Sequence, residues 1–293
     1  MSFFNILITG ANGQLGLALQ DQFLLLREFK AFTLSHTDLD ITALQDNLDD
    51  YMTHHAIDAV INCAAYTAVD KAESEAENCW AVNAFGTRNV ARACNRRNIP
   101  LIHFSTDYVY HNELRRPLKE SDVCTPKNVY GTSKLAGEQK ARFHNPKTII
   151  LRTSWLYARR GNNFMNTIIA LASSRSDLNI VDDQIGAPTW VTDLAKATTL
   201  ILSQVLSNPD LARWYGIYNC ANQGAISWFN FAAYFIQRLG LPCKVHPVPS
   251  AEFPRPATRP AYSVFDLTKI EDTFRPGLRD WKSALEECLE LNV

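Results

Sequence analysis

Residues 4–16 read FNILITGANGQLG, and this segment decides the predicted fold class. A short apolar run of strand-like composition leads into three glycines, and the amphipathic run 15–26 follows them. In such a turn the first glycine allows a sharp exit from the strand, and the second lets the backbone approach a pyrophosphate. The third lets helix and sheet pack closely. We therefore predict that the chain opens with a βαβ unit that binds a dinucleotide, although glycines in a turn are also ordinary loop chemistry.

The alternation of strands and helices continues through the first half of the chain. Apolar strands are predicted at 31–34, 59–63, 101–105 and 148–153, and helices at 42–54, 75–97 and 130–142. Strands separated by helices of this length imply right-handed crossovers and a parallel sheet that is covered on both faces. The predicted class is α/β, with a Rossmann-type doubly wound parallel sheet.

The composition changes after Ser154. Most of the tryptophans and prolines follow this residue, including the proline cluster 247–260. We predict a dinucleotide-binding domain over residues 1–155. Residues 156–293 are predicted to form mainly a smaller, less regular substrate-binding lobe, with some segments returning to the cofactor domain.

Bulk composition limits the partners of the chain. With 29 basic and 30 acidic residues the net charge is −1, so no global field attracts nucleic acid or an acidic membrane. The seven cysteines lie scattered, without the close pairs of a zinc site, and are interpreted as reduced thiols. Neither a basic leader nor a run of 18 apolar residues occurs. We expect a cytoplasmic protein that binds neither nucleic acid nor membrane.

The end of the second strand bears on the choice of cofactor. An acidic residue there binds the ribose diol, whereas a basic one accommodates a 2′-phosphate; this chain has Ser35 and His36. His36 either contacts a 2′-phosphate when protonated or is a solvated loop residue. NADPH is therefore mildly preferred over NADH. Asp40 either lies near an adenine amine or is a carboxylate favoured by a helix start, with Thr42 as its cap.

Tyr130 and Lys134 are four residues apart and so lie on one face of a predicted helix. A phenol with a pKa of about 10 is a poor acid–base group at neutral pH. A fixed ammonium group nearby stabilises the phenolate and so makes the proton easier to donate. Tyr130 is thus a candidate general acid, although such a pair is also typical of a surface tyrosine packed on a lysine stem. Thr106 follows the strand 101–105 and would face the ligand crevice, where its hydroxyl can bind a substrate carbonyl; Ser105 could share that role.

Several motifs resemble those of the extended short-chain dehydrogenase/reductases. They are the glycine turn, NCAAY at 62–66, STDYVY at 105–110 and YGTSK at 130–134. A second set more narrowly resembles the dTDP-4-dehydrorhamnose reductase family: AAYTAVDKAE at 64–73, RTSWLY at 152–157, GNNF at 161–164 and DQIGAPT at 183–189. The resemblance spans nearly the whole chain.

This resemblance implies reduction of the C4 keto group of a dTDP-4-dehydro-6-deoxy-sugar, dTDP-4-dehydro-L-rhamnose, to dTDP-L-rhamnose. Tyr130 would supply the proton, Lys134 would hold the nicotinamide ribose, and Thr106 would bind the carbonyl. The implied cofactor-binding residues are Gly10, Asn12, Gly13, Gln14, Leu15, Gly16, Asp40, Ile41, Ala64, Ala65, Tyr66, Tyr130 and Lys134. The implied substrate-binding residues are Thr106, Asp107, Tyr130, Trp155, Asn163 and Arg259.

The sequence departs from the family pattern at two places. Some members hold magnesium at a dimer contact through a glutamate early in the first helix, but residues 15–20 contain no carboxylate, so no metal is predicted there. The segment 111–117 lacks the usual Asp-Gly loop, which leaves the identity of the sugar substrate open. A homodimer and a monomer both remain open.

Two alternatives to the reductase remain. One is a non-catalytic, dinucleotide-binding regulatory subunit that resembles the β subunit of methionine adenosyltransferase. The other is a nucleotide-sugar epimerase, which would retain NAD tightly. The absence of an acidic residue directly after the second strand argues against tight NAD binding.

Overall fold

The fold is built on strands and helices that alternate along the chain. The computed structural model describes residues 4–43, 46–111 and 113–290. Its strands are β1 Phe4–Thr9, β2 Phe29–Leu34, β3 Ala59–Asn62, β4 Leu101–Thr106, β5 Thr148–Thr153, β6 Leu156–Tyr157, β7 Asp177–Val181, β8 Ile185–Gly186, β9 Thr189–Trp190, β10 Gly216–Asn219, β11 Ile226–Ser227 and β12 Lys244–Val248. Its α-helices are α1 Gln14–Phe23, α2 Asp46–His54, α3 Ala76–Trp80, α4 Thr87–Arg96, α5 Val129–His144, α6 Phe164–Ala172, α7 Val191–Ser207, α8 Trp228–Arg238, α9 Thr268–Phe274 and α10 Trp281–Glu290.

Six of these strands form a parallel sheet in the order β2-β1-β3-β4-β5-β10. The order reverses direction between β1 and β3, and ligands of open α/β sheets bind in the crevice at such a switch point. The predicted α/β class with a Rossmann-type parallel sheet is confirmed. The position of β10 places a segment from the second half of the chain at one edge of this sheet.

Alternate residues of each strand build two cores, one on each face of the sheet. On one face, Ile8 and Ile61 pack in a cluster that includes residues of α1 and α7. On the other, Leu7 and Val60 pack in a cluster that includes residues of α2 and α4. Because both faces of the sheet are covered, β3 and β4 are buried along their whole length, and the polar residues Thr9, Asn62 and Thr106 end β1, β3 and β4.

Two predicted helices differ from the structure. The helix predicted at 42–54 begins at Asp46, so the predicted start at Thr42 is wrong: Thr42 lies in a turn and bonds back to Asp40. The helix predicted at 75–97 is continuous from 76 to 96 but contains a π-helical segment, Ala81–Gly86. Such segments carry an extra residue per turn and occur frequently at functional sites.

The second half of the chain adds small sheets around this frame. Two-stranded pairs form between β11 and β8, β12 and β7, and β6 and β9. Within the described ranges, every helix is too short or too polar to cross a lipid bilayer.

Candidate active site

A cavity of about 640 Å³ lies at the switch point between β1 and β3. It contains most of the residues predicted to bind a cofactor: Gly10, Asn12, Gly13, Asp40, Ile41, Ala64, Ala65 and Tyr66. Gln14, Leu15 and Gly16 form the adjoining first turn of α1, with the Leu15 side chain buried in the core. These residues therefore lie along one continuous crevice, and their binding of a cofactor stays a prediction.

The three glycines of the turn have different packing requirements. Gly10 has a φ of +67°, and a Cβ there would lie 2.5 Å from the backbone nitrogen of Ala64. A Cβ at Gly16 would lie 2.6 Å from the Gly10 carbonyl oxygen. At Gly13 a Cβ would meet only that same carbonyl oxygen, at 3.3 Å, so it would stand towards the cavity. Gly10 and Gly16 thus serve close packing, whereas Gly13 leaves room for a ligand.

Polar residues after β2 line the outer part of the cavity. Ser35 donates its backbone N–H to Asp38 Oδ2 at 2.9 Å, so the Asp38 carboxylate is hydrogen-bonded within this turn. Asp40 accepts from both the N–H and the hydroxyl of Thr42, at 2.8 Å each. The Thr42 N–H contributes most to holding the pKa of Asp40 below its usual value. His36 is exposed and lines the cavity, with no acidic side chain at the two positions beside it.

Tyr66 links the cavity to the candidate catalytic residues. Its ring packs in a small apolar cluster with Tyr130 and Tyr108. Asn83, in the π-helical segment, accepts from the Tyr66 backbone N–H at 2.9 Å, and the Tyr66 hydroxyl donates to Glu75 at 2.7 Å. That last hydrogen bond is the main reason why the pKa of Tyr66 rises to about 12.

Thr106, Tyr130 and Lys134 come together at the carboxyl end of β4. Thr106 ends this strand, and Tyr130 and Lys134 lie on the first turns of α5, which Asn128 caps by accepting from the Gly131 N–H. Thr106 and Tyr130 share a side-chain hydrogen bond. The alternative role for Ser105 is not supported, because its hydroxyl donates to the buried Glu138 carboxylate.

The pKa of Tyr130 is raised, so its phenol stays protonated. Burial raises the pKa of the phenol well above its usual value, and the side-chain hydrogen bond between Tyr130 and Thr106 opposes this rise without cancelling it. The expectation that Lys134 makes this phenol acidic is therefore wrong for this structure, in which burial dominates. Tyr130 is buried in its protonated form, which is the form that can donate a proton.

Lys134 is buried as well. Its Nζ donates to the Phe104 carbonyl oxygen at 2.6 Å and lies 3.4 Å from His103 Nε2. Burial lowers the pKa of this amine to about 8, against the opposing charge of Glu138. An amine with a pKa of about 8 can lose its proton within the pH range in which enzymes work.

Asp107, predicted to bind substrate, lies beside Thr106, whose hydroxyl donates to Asp107 Oδ1 at 3.0 Å. Within the described residues Asp107 Oδ2 is buried and has no hydrogen-bond partner. Burial raises the pKa of this carboxyl to about 6, although the nearby hydroxyl groups of Ser263 and Thr106 act against the rise. An unpaired buried oxygen is costly, so a ligand hydroxyl that donates to it would relieve that cost.

Trp155 is held in a strained backbone conformation, with φ at +49°. Its ring stacks on Trp228 at a centroid distance of 3.4 Å and an interplanar angle of 5°. A Cβ at Gly186 would lie 2.4 Å from the indole of Trp155, so only glycine fits there. Strain of this kind persists only where the surroundings enforce it, and it concentrates at functional sites.

The other two predicted substrate residues are engaged within the protein. Asn163 caps α6 by accepting from Asn166 and donates to Gln14 Oε1 at 2.8 Å. Arg259 donates to both carboxylate oxygens of Asp70. Neither residue lines the cavity, and their side chains already have hydrogen-bond partners within the protein.

Sequence reasoning missed several lining residues. Cys63 follows β3 directly, and the rule that strand ends face the crevice could have found it. Asn78, Ala81 and Val82 also line the cavity, but they come from α3 and the π-helical segment. No local sequence pattern predicts which side chains of the π-helical segment point into the cavity. Among the described residues no cluster of three potential metal ligands occurs, and the absence of a metal stays a prediction.

Comparisons with known proteins agree with this geometry. The family model described as RmlD substrate binding domain matches residues 4–292. A dTDP-4-dehydrorhamnose reductase of Sinorhizobium fredii is 39% identical over 281 residues, covering 94% of each chain. The crystal structure of a dTDP-4-dehydrorhamnose reductase from Clostridium acetobutylicum is 38% identical, with a TM-score of 0.91 over 98% of this chain and 99% of the other. One from Bacillus anthracis in complex with NADP is 36% identical, with a TM-score of 0.90 and the same coverage.

Proposed function

Because the chain belongs to the RmlD substrate-binding-domain family and has full-length relatives that are dTDP-4-dehydrorhamnose reductases, we propose that it is such a reductase. It converts dTDP-4-dehydro-L-rhamnose into dTDP-L-rhamnose in nucleotide-sugar biosynthesis, with NADPH as the preferred donor and NADH as the alternative. The observation that carries this proposal is the meeting of Thr106, Tyr130 and Lys134 beside the crevice at the switch point.

The cavity suits a dinucleotide. Its lining combines the glycine turn, the small residues Ala64 and Ala65, and the polar end of β2. The pyrophosphate would lie at Gly13 and the start of α1, where backbone N–H groups are available. The Bacillus anthracis relative binds NADP, and the neutral Ser35 and exposed His36 suit a 2′-phosphate.

When bound beside the glycine turn, the nicotinamide cofactor would supply a hydride to the C4 carbonyl carbon of the sugar. Thr106 holds the carbonyl oxygen with its hydroxyl, and Tyr130 donates a proton to this oxygen, so that the ketone becomes an alcohol. The buried phenol keeps its proton until a stronger base develops, and the alkoxide formed by reduction is such a base. Asp107 and Trp155 would bind the sugar, and Arg259 the diphosphate.

We also propose that the chain divides into a cofactor domain and a substrate-binding lobe. Residues 1–155 would form the cofactor domain and residues 156–293 mainly the substrate-binding lobe, with β10 returning to the sheet. We propose a cytoplasmic enzyme, since its substrate and cofactor are small charged molecules. A homodimer remains a prediction.

One assay tests the reductase proposal against its alternatives. Purified protein is mixed with NADPH or NADH and dTDP-4-dehydro-L-rhamnose, and the absorbance of the reduced cofactor is followed. Stoichiometric oxidation with formation of dTDP-L-rhamnose supports the reductase. Cofactor binding without oxidation would favour the regulatory subunit, and epimerised substrate without net oxidation would favour the epimerase.

The Tyr130→Phe variant tests the proton donor in the same assay. The ring packing survives, so the affinity for the cofactor should stay the same while kcat falls by about 100-fold or more. Tyr234→Phe is the matched control, since this tyrosine lies on α8 and bonds to Glu286 away from the site. Unchanged turnover in Tyr130→Phe would remove this residue from the mechanism.

A further inference from the structure

The amide of Asn128 joins two segments that carry candidate site residues and lie far apart in sequence. Its Oδ1 accepts from the backbone N–H of Gly131 at 2.7 Å and so caps α5, the helix that carries Tyr130. Its Nδ2 donates to the backbone carbonyl oxygen of Thr258 at 2.7 Å. The first partner can only donate and the second can only accept, so the orientation of this amide is fixed at both ends. Asn128 therefore holds the residue before Arg259 against the start of α5.

Other hydrogen bonds attach the segment 257–259 to Asp70. The Asp70 carboxylate accepts from the Ala257 backbone N–H at 3.3 Å and from the Arg259 guanidinium through two hydrogen bonds. A diphosphate that binds Arg259 takes the guanidinium away from this carboxylate. The hydrogen bond from Asn128 ends on the main chain and involves neither the Arg259 side chain nor Asp70. It can therefore stay in place when the guanidinium changes partners.

Arg259 lies close to the side chain that packs on the candidate proton donor. Burial first and the charge of Asp107 second raise the pKa of Tyr108, and the charge of Arg259 acts against this rise. The guanidinium is therefore within electrostatic range of that phenol. The Tyr108 ring in turn packs edge-on against Tyr130 at a centroid distance of 5.4 Å. Arg259 and Tyr130 thus flank the same aromatic side chain, and in such a site a misplacement of about 1 Å has a large effect.

We propose that Asn128 is a positioning residue: it holds the backbone beside α5 while the Arg259 side chain exchanges Asp70 for the substrate diphosphate. Without this hydrogen bond the segment has to be ordered when the substrate binds, and that ordering lowers the affinity for the nucleotide sugar. The chemical step is unaffected, because α5 keeps its cap and Tyr130 keeps its own contacts. The effect on the substrate, unlike the hydrogen bond itself, rests on the proposed function.

Two serine variants separate this hydrogen bond from the cap. Asn128→Ser keeps the cap, because serine is a good N-cap residue, but its hydroxyl is one bond shorter than the amide and does not reach the Thr258 carbonyl. Asn145→Ser is the matched control. Asn145 lies at the other end of α5, is buried like Asn128, and its amide donates to the backbone carbonyl oxygen of Ile99 at 3.2 Å. Both variants lose one bond from a side chain to the main chain, but only Asn128→Ser releases the segment 257–259.

The first test needs no turnover. Amide hydrogen exchange, followed by NMR of 15N-labelled protein without added ligands, reports how firmly the segment 257–259 is held. In Asn128→Ser the Ala257 amide should exchange about tenfold faster than in the unaltered protein, whereas in Asn145→Ser its rate should stay the same. An unchanged Ala257 rate in Asn128→Ser, or an equal increase in both variants, would overturn the proposal.

The second test uses the reductase assay. Asn128→Ser should raise KM for the nucleotide sugar about fivefold, with kcat and the dissociation constant of NADPH unchanged. In the Arg259→Met background the same substitution should have no further effect, since Asn128 acts through Arg259. The proposal is wrong if KM stays the same, if kcat falls instead, if the effect persists in Arg259→Met, or if Asn145→Ser raises KM equally. If the unaltered protein oxidises no cofactor, the proposed function fails, and the exchange rates still decide whether Asn128 holds the segment.

Discussion

Arg259 forms a bidentate ion pair with Asp70: Nη1 lies 3.0 Å from Oδ1 and Nη2 lies 2.9 Å from Oδ2. The pair joins the segment after β3 to the proline-rich segment near the end of the chain, and Arg255 Nη1 is 3.9 Å from the same carboxylate. Hydrogen bonds from Arg259 are the main reason why the pKa of Asp70 lies below its usual value. A substrate diphosphate that binds Arg259 must therefore compete with Asp70.

This competition gives the first prediction. If Arg259 binds the diphosphate, Arg259→Met should raise KM for the nucleotide sugar about tenfold or more, since hydrogen bonds to charged groups contribute about 1.5–3 kcal/mol. Asp70→Asn should leave that KM unchanged or lower it, because the guanidinium is released from its anionic partner. Steady-state kinetics check both variants. An equal rise of KM in the two would show that the pair only joins the two segments.

The second prediction separates the roles of two glycines in the turn. A Cβ at Gly16 would lie within 2.8 Å of three backbone atoms of the turn, so Gly16→Ala should destabilise the protein by about 1–3 kcal/mol. Gly13 has a φ of −73°, which alanine accepts, so Gly13→Ala should keep its stability and lose cofactor affinity about tenfold. Urea denaturation and cofactor titration measure the two effects. Equal stability losses would contradict this assignment.

Local pattern was sufficient for five of the six strands of the central sheet, but it did not predict β10, which pairs with β5 from the second half of the chain. The strand pattern correctly put Gly10 directly after β1 and Thr106 at the end of β4, on the same edge of the sheet because parallel strands end on one side, and the Tyr-x-x-x-Lys spacing put Tyr130 on a helix. The pKa of Tyr130 was not predictable in the same way, since its direction depends on burial by residues distant in sequence.

Long-range pairing accounts for most of what the sequence could not provide. The partner of Arg259 lies 189 residues earlier, and Asn163 bonds to Gln14 across 149 residues. No local pattern identifies such partners. The stack of Trp155 on Trp228 depends likewise on the missing side chain of Gly186, whose glycine preference is visible only when the indole is in place.

The third prediction concerns cofactor choice. His36 lines the cavity and is exposed, so His36→Ala should raise KM for NADPH about fivefold and leave KM for NADH unchanged, since only NADPH carries the 2′-phosphate. Initial rates with each cofactor give both values. His246→Ala, a surface histidine paired with Asp177, is the control. Equal effects on the two cofactors would assign His36 to the loop and not to the phosphate.

The fourth prediction uses the stacked indoles. Trp228→Leu removes the surface that holds the Trp155 ring, and aromatic pairs contribute about 0.5–1.5 kcal/mol beyond their burial. We expect KM for the nucleotide sugar to rise about fivefold while the cofactor dissociation constant stays the same. Trp214→Phe, which alters a ring packed on Phe274, serves as the control. A matching loss of cofactor affinity would indicate a general loosening of the fold.

The fifth prediction follows from Asp107, whose pKa burial raises to about 6. The carboxylate can accept two hydrogen bonds from sugar hydroxyls, whereas the protonated acid loses one acceptor. Because protonation is favoured below pH 6, kcat/KM should fall as the pH falls through about 6, reaching about a tenth of its plateau near pH 5. Stability should change in the opposite direction: a raised pKa favours the folded protein below the unfolded value of about 4, and this contribution is lost as the pH rises through 6.

The Asp107→Asn variant isolates this group. Asparagine keeps one acceptor and does not titrate, so kcat/KM should be lower than in the unaltered protein at pH 7.5 but should not fall further between about pH 7 and pH 5. Rates measured across this range with both reactants well below saturation report the free enzyme, in which Asp107 Oδ2 is buried and unpaired among the described residues. Tyr130 cannot produce the same acid limb, because burial moves its pKa upward and away from this range. If the limb persists in Asp107→Asn, the titrating group lies elsewhere; if kcat/KM at pH 7.5 is also unchanged, Asp107 has no role in recognising the sugar.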